Sequence, residues 1–263
     1  MKRFQLNYTM KFSFSDLVNH HYFTLKCLPS TQPRQLVISN KIRMDANYYS
    51  LSEDCFHNSL IYGYKEESHD TLSIYVGSLV SVDWTQYDMD DSLLPVYKKQ
   101  TKITELDENL IEFEKELSKL TIHMDDYEKA LFYSKSVFDV MIYEKGSTNI
   151  KTDAKTAFHN KKGVCQDFAH ILIGLLRQAN IPCRYVAGVM ASEKYTHAWV
   201  EFFAKGRWYG LDPTNQLLVD DNYVIFARGR DYHDTLVNKG IFYGQNIIQS
   251  QTVEISMEEI IDD

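Results

Sequence analysis

The chain has 263 residues, 44% of them hydrophobic and 24% charged, with a formal net charge of −8. That is the profile of a globular protein big enough for one large domain or two ordinary ones. The acidic balance argues against a nucleic-acid binder, which needs a basic face, and no stretch approaches the ~20 apolar residues of a membrane span. Met1-Lys2-Arg3 is followed by no continuous apolar run of the signal-peptide kind, so a cytoplasmic protein is expected, with neither nucleic acid nor membrane as partner. Cys27, Cys55, Cys165 and Cys183 are widely spaced and form no C-x-x-C pair, which makes free thiols the expectation.

The first hundred residues read as strands. Tyr8, Met10, Phe12 and Phe14 alternate with polar residues, and Phe23, Leu25 and Cys27 do the same before Pro29. Leu36, Ile38, Ile42 and Met44 follow, then Leu60, Tyr62 and Tyr64, then Leu72, Ile74 and Val76. Period-two alternation of aromatic and β-branched residues marks half-buried strands, and short strands at this spacing suggest a β-sandwich. Asn19-His20 and the run Glu66–Asp70 are expected turns, with His20-His21 in a solvated loop. Asp88-Met89-Asp90-Asp91 lacks the glycine and distal glutamate of a calcium loop and reads as a solvated turn.

The character changes after Leu94-Pro95. Leu106, Leu110, Phe113, Leu117 and Leu120 recur at helical spacing. A second helix is expected from about Met124 to Tyr143, opened by Asp125-Asp126 and closed by Lys145-Gly146, and a shorter one over Asp153 to Phe158. Phe168, Leu172, Leu175, Leu176 and Ala179 place another helix after Gly163-Val164-Cys165, ending at Asn180-Ile181-Pro182. Strands then return over Cys183–Met190, Thr196–Phe203, Arg207–Leu211, Tyr223–Phe226 and Ile247–Ile255. Helices followed by an antiparallel run indicate α+β organisation. The chain divides into a β-rich part, residues 1–105, and an α+β part, residues 106–263, with the boundary somewhere between Pro95 and Met124.

Cys165 falls at the first turn of its helix, where unpaired N–H groups and the helix dipole favour a thiolate over a thiol. That makes it a candidate nucleophile, although a buried structural cysteine would have the same local sequence. His197 begins one strand and Asp212 ends the next. Lys205-Gly206 between them is a hairpin signal, in which paired residue numbers sum to about 411. In that register Asp212 lies beside His197, where it can accept a hydrogen bond from one ring nitrogen while the other faces Cys165. Zinc accepts all three residue types, but a nucleophile, base and orienting residue explain their positions better, and no metal or cofactor is expected. The backbone N–H of Cys165 is a natural oxyanion donor, and a second is not placed. Asp167 and His170 on the same helix, Trp199 in the strand after His197, and Cys183 are expected to be structural or pocket residues.

The blocks Gly163-Val164-Cys165-Gln166-Asp167-Phe168-Ala169, Arg184-Tyr185-Val186-Ala187-Gly188, His197-Ala198-Trp199-Val200-Glu201 and Trp208-Tyr209-Gly210-Leu211-Asp212-Pro213-Thr214 resemble the transglutaminase-like superfamily. The match runs from about Lys161 to Asn215. Arg228-Gly229-Arg230-Asp231-Tyr232 and the β-rich first part are similar to bacterial members, except that His233-Asp234 stands where a proline commonly follows. The resemblance implies a papain-like α+β core with Cys165 as nucleophile, His197 as base and Asp212 as orienting residue. It implies acyl transfer through a thioester on a protein or peptide substrate. Water as acceptor makes a peptidase or deamidase and an amine makes a transglutaminase. A silent binding protein keeping the fold is the third reading. Hydrolysis is favoured because the compact bacterial-type arrangement lacks the extra domains of cross-linking enzymes.

Overall fold

Buried and less buried side chains alternate along Lys2–Leu25, and in the computed structural model, which describes residues 1–261, this stretch is a single long strand, β1. It is followed by β2 (Gln35–Met44), β3 (Tyr48–Glu53), β4 (Ser59–Lys65) and β5 (His69–Val82). With two strands from the far end of the chain these make one curled seven-stranded antiparallel sheet in which β2-β5-β1-β4-β3 is the main order. The sequence pattern pointed to a sandwich, but β1 runs through both halves of the sheet. Asn19-His20 is no turn: the ladder only shifts register around it, with His20 at φ 47°, and the strand continues. His21 is buried against His69, its Nδ1 3.3 Å from His69 Nε2, and burial, with His69 and Lys65 nearby, lowers its pKa to about 4. Two faces are also opposite to expectation. Leu36 and Ile38 are exposed, and in β4 Ile61 is fully buried while Tyr62 lies outside, because alternation alone does not say which face meets the core.

The helices come next: α1 (Leu94–Tyr97), α2 (Glu108–Leu120), α3 (Asp126–Val140), then the two-residue strand β6 (Ile142–Tyr143), α4 (Ala154–Asn160), the two-residue strand β7 (Lys162–Gly163), and α5 (Cys165–Gln178). Aspartates start three of them: Asp107, Asp125 and Asp153 each accept from a backbone N–H in the first turn, which supplies a partner that the helix itself cannot. α3 stops short of the expected Tyr143 because Tyr143 pairs instead with Gly163 in a parallel β6–β7 bridge. α5 is buried on every side from Asp167 to Arg177, lying under the second sheet and among α2, α3 and α4. An amphipathic stripe predicts one buried face; tertiary packing covers the rest. Asn180 takes the left-handed conformation (φ 62°) and ends it as expected.

The second sheet follows: β8 (Cys183–Met190), β9 (Thr196–Ala204), β10 (Arg207–Asp212), β11 (Leu217–Leu218) and β12 (Tyr223–Gly229), in the order β11-β10-β9-β8-β12, all antiparallel. One face packs on the helices; Val189, Val224 and Phe226 pack into the core of the first sheet, where Phe226 meets Tyr8 edge-on at 5.7 Å. The chain then returns: β13 (Asn238–Tyr243) and β14 (Gln249–Glu259) pair with the two halves of β1. The tail that the sequence division at residue 105 grouped with the second part therefore completes the first sheet. With about 44% strand and 22% helix, the molecule is α+β. Among the described residues no helix is long and apolar enough to cross a membrane.

Asp88 is another correction. It is 2% exposed, not in a solvated turn, and accepts from Arg184 at 2.6 Å. Arg184 and Arg228 both also bind the fully buried Glu201 of β9, at 2.6 and 3.0 Å. Burial pushes the Glu201 carboxyl up, but the two arginines outweigh it and hold it below the usual range.

Candidate active site

The site is built at the start of α5. Asp167 Oδ2 accepts from the Val164 backbone N–H at 2.7 Å and from Thr148 Oγ1 at 2.6 Å, which fixes how the chain enters the helix. Burial raises the Asp167 pKa. Gly163 is required there, since a Cβ would come within 2.6 Å of the Asp167 side chain. The result places Cys165, half-buried, at the first helical position.

The β9–β10 hairpin brings up the other two residues. Its pairs run from Arg207↔Ala204 to Leu211↔Val200, the register expected from the sequence, with Lys205 and Gly206 both at positive φ in the turn. His197 Nε2 lies 2.6 Å from Asp212 Oδ2. Asp212 is fully buried and accepts four further hydrogen bonds: Tyr223 OH at 3.0 Å, Asn215 Nδ2 at 2.8 Å, and the backbone N–H groups of Thr214 and Asn215 at 3.0 and 3.2 Å. Burial would raise its pKa; the hydrogen bond and charge of His197, then Asn215 and Tyr223, outweigh it and lower it. His197 shows the converse. Burial lowers its pKa, yet hydrogen bonds and charge from Asp212 and Cys165 raise it to about 10. Trp199 is fully buried beside the imidazole, rings near-parallel at 6.3 Å, so it packs as expected. Gly188, opposite His197, leaves the room that Trp199 needs: a Cβ would meet the indole at 2.6 Å.

Cys165 and His197 line one cavity of about 810 Å³, walled by Tyr143, Tyr185, Tyr195, Tyr232 and Ile150, with Lys145 and Glu193 also on it. Lys145 Nζ sits 4.8 Å over the Tyr195 ring. His170, fully buried, packs its ring at a tilt against Tyr185 with centroids 5.1 Å apart and accepts from the Tyr232 backbone N–H, and burial lowers its pKa to about 3, so it is a neutral support behind the wall. Cys183 is buried in the core. Cys165, His197 and Asp212 are thus brought together. Sequence reasoning missed Tyr223 and Asn215. Asn215 had a signal, because an aspartate followed by Pro-Thr-Asn suits a turn capped by the aspartate's own side chain. Tyr223 had none, lying on a strand whose position only the sheet order settles.

With this geometry in place, two family models match the chain: the transglutaminase-like superfamily core over residues 118–213, and the bacterial transglutaminase-like N-terminal region over residues 4–81. The chain belongs to the transglutaminase-like superfamily. A relative in Mycobacterium tuberculosis, described only as an uncharacterized protein, is 28% identical over 98% of this chain and 92% of its own length. A second, from Mycobacterium leprae and also described as uncharacterized, is 36% identical over 39% of this chain and 40% of its own. Among solved structures, one from Cytophaga hutchinsonii described as a "Putative Cysteine Protease" is similar with a TM-score of 0.71 at 21% identity, covering 100% of this chain and 92% of that one. That likeness is one of fold.

Proposed function

We propose that this chain is a cysteine-dependent amide hydrolase acting on a protein or peptide through a thioester, with Cys165 as nucleophile, His197 as general base and acid, and Asp212 orienting the imidazole. The observation that carries the reading is the shared cavity of Cys165 and His197 together with the 2.6 Å contact of His197 to buried Asp212. Nε2 is committed to Asp212, so Nδ1 is the nitrogen left for the thiol. The ring takes the thiol proton, and a thiolate–imidazolium pair results. The thiolate attacks the amide carbonyl carbon. The oxyanion is held by the N–H of Cys165, one of the first-turn donors that a helix leaves without an internal partner. As the C–N bond breaks, imidazolium gives its proton to the departing amine or ammonia. Neutral His197 then takes a proton from water, hydroxide adds to the thioester, and the acid leaves as the thiol reforms. The description of the Cytophaga protein as a protease agrees with water as the acceptor.

The test offers glutamine-containing and unstructured protein substrates with and without a fluorescent primary amine. Peptide cleavage or ammonia release without amine incorporation, abolished in Cys165→Ala, is expected. Amine incorporation instead would make the protein a transferase. No turnover of any substrate by a protein whose Cys165 reacts as an ordinary thiol would leave a binding role.

A further inference from the structure

We propose that the side-chain amide of Gln166 is the second oxyanion donor of this site, an assignment that rests on the acyl-transfer reading above. One backbone N–H is a weak cradle for a developing oxyanion. Removing one oxyanion donor from a serine protease costs about 10²–10³ in rate.

Gln166 follows the nucleophile in the first turn of α5 and lines the cavity with Cys165 and His197. Its Nε2 is closed off from solvent and has no hydrogen-bond partner. A buried unpaired donor costs about 1–3 kcal/mol, and such groups in native proteins call for an explanation. A ligand oxygen that arrives during the reaction supplies one. Thr214 Oγ1 is a second unpaired buried group on this cavity, but it belongs to the turn that holds Asp212. Gln166 is on the helix that carries the sulfur and the first donor. Tyr143, Tyr185, Tyr195, Tyr232 and Lys145 also bring donors to the wall, but none of their polar atoms is among those buried without a partner, and Tyr143 is 47% exposed.

The probe p-nitrophenyl acetate reacts by the same course. Cys165 Sγ bonds to the carbonyl carbon and the C=O π pair moves onto oxygen, where the N–H of Cys165 and the Nε2–H of Gln166 meet it. The pair returns, the bond to p-nitrophenolate breaks, and an acetyl thioester remains. Water, losing its proton to His197, then releases acetate.

The experiment compares acylation bursts of the full chain and of Gln166→Met, which keeps length and loses the amide, with Gln166→Glu and Tyr143→Phe alongside. Alkylation of Cys165 by iodoacetamide is the control, because displacement of iodide builds no oxyanion. The expected result is a burst slowed about 10²-fold in Gln166→Met and Gln166→Glu with unchanged alkylation in both, and a smaller loss in Tyr143→Phe than in either. A Gln166→Met burst at the parent's rate, or a loss confined to Tyr143→Phe, overturns the assignment. A parallel fall in alkylation shows a structural role and overturns it as well. A parent protein that is alkylated but never acylated fails the acyl-transfer reading itself, and this inference with it.

Discussion

His197 is the residue whose surroundings matter most. Its pKa is raised to about 10 against burial, so the imidazolium form persists through neutral pH while Asp212 and Cys165 face it. In the proposed thiolate–imidazolium pair, iodoacetamide should modify Cys165 faster below pH 7 than it modifies an ordinary thiol. In His197→Ala the fast reaction below pH 7 should disappear; equal profiles in the two proteins would remove the ion pair. The same shift is a stability statement. A group whose folded pKa lies above its unfolded 6.5 stabilises fully below 6.5, and that contribution is lost as pH rises toward 10. Urea midpoints should fall over this window in the parent and stay flatter in His197→Asn. Asp212→Asn should lower turnover about 10²–10⁴-fold, because the amide offers no charge to hold the imidazolium. Tyr223→Phe removes one of five hydrogen bonds to that carboxylate and should cost much less than Asp212→Asn. A Tyr223→Phe loss as large as that of Asp212→Asn would show that the phenol orients the pair rather than assisting it.

At the scale of elements, the site depends on where α5 begins. Gly163 in β7, Asp167 in α5 and Thr148 between β6 and α4 lock that start, and Tyr143 pairs with Gly163 from the other side. Gly163→Ala forces its new methyl into the Asp167 side chain. It should destabilise by about 1–3 kcal/mol, the usual cost of overpacking, and slow Cys165 alkylation more than unfolding alone explains. Alkylation at the parent's rate in the folded variant would show that the helix start tolerates movement. The helix starts at Asp125 and Asp153 and the Lys205-Gly206 hairpin were legible, because each depends on a few adjacent residues. The C-terminal stop of α3 was not, since it is set by a partner strand some twenty residues on.

Across the whole molecule, the second sheet is held between the helices and the first sheet. Asp88 from the connecting segment, Arg184 of β8, Glu201 of β9 and Arg228 of β12 form a buried charge cluster on the β9 face that also carries His197 and Trp199. Removing one member strands the others in low dielectric. Glu201→Gln should cost about 3–5 kcal/mol in denaturant unfolding, while the protein that remains folded keeps its Cys165 reactivity. A loss of reactivity without loss of stability would place Glu201 in the chemistry instead. The return of β13 and β14 to β1 ties both ends of the described chain into one sheet, so residues that follow the core match complete the sheet of the N-terminal match.

Local sequence by itself determined the types of most elements, though not β3, α1 or β13, together with the hairpin register and the nucleophile–base–carboxylate candidates Cys165, His197 and Asp212. Turn residues, caps and periodicity act over a few residues, and the family's motifs carry the chemistry in short blocks. Tertiary structure decided the rest. It chose which face of β2 and β4 is buried and took His21 and Asp88 out of solvent. It surrounded α5 completely, and it added Tyr223 and Asn215 to Asp212. Each of these depends on which distant segment packs opposite, and pairings across as many as 255 residues, as between Phe4 and Glu259, leave no local trace.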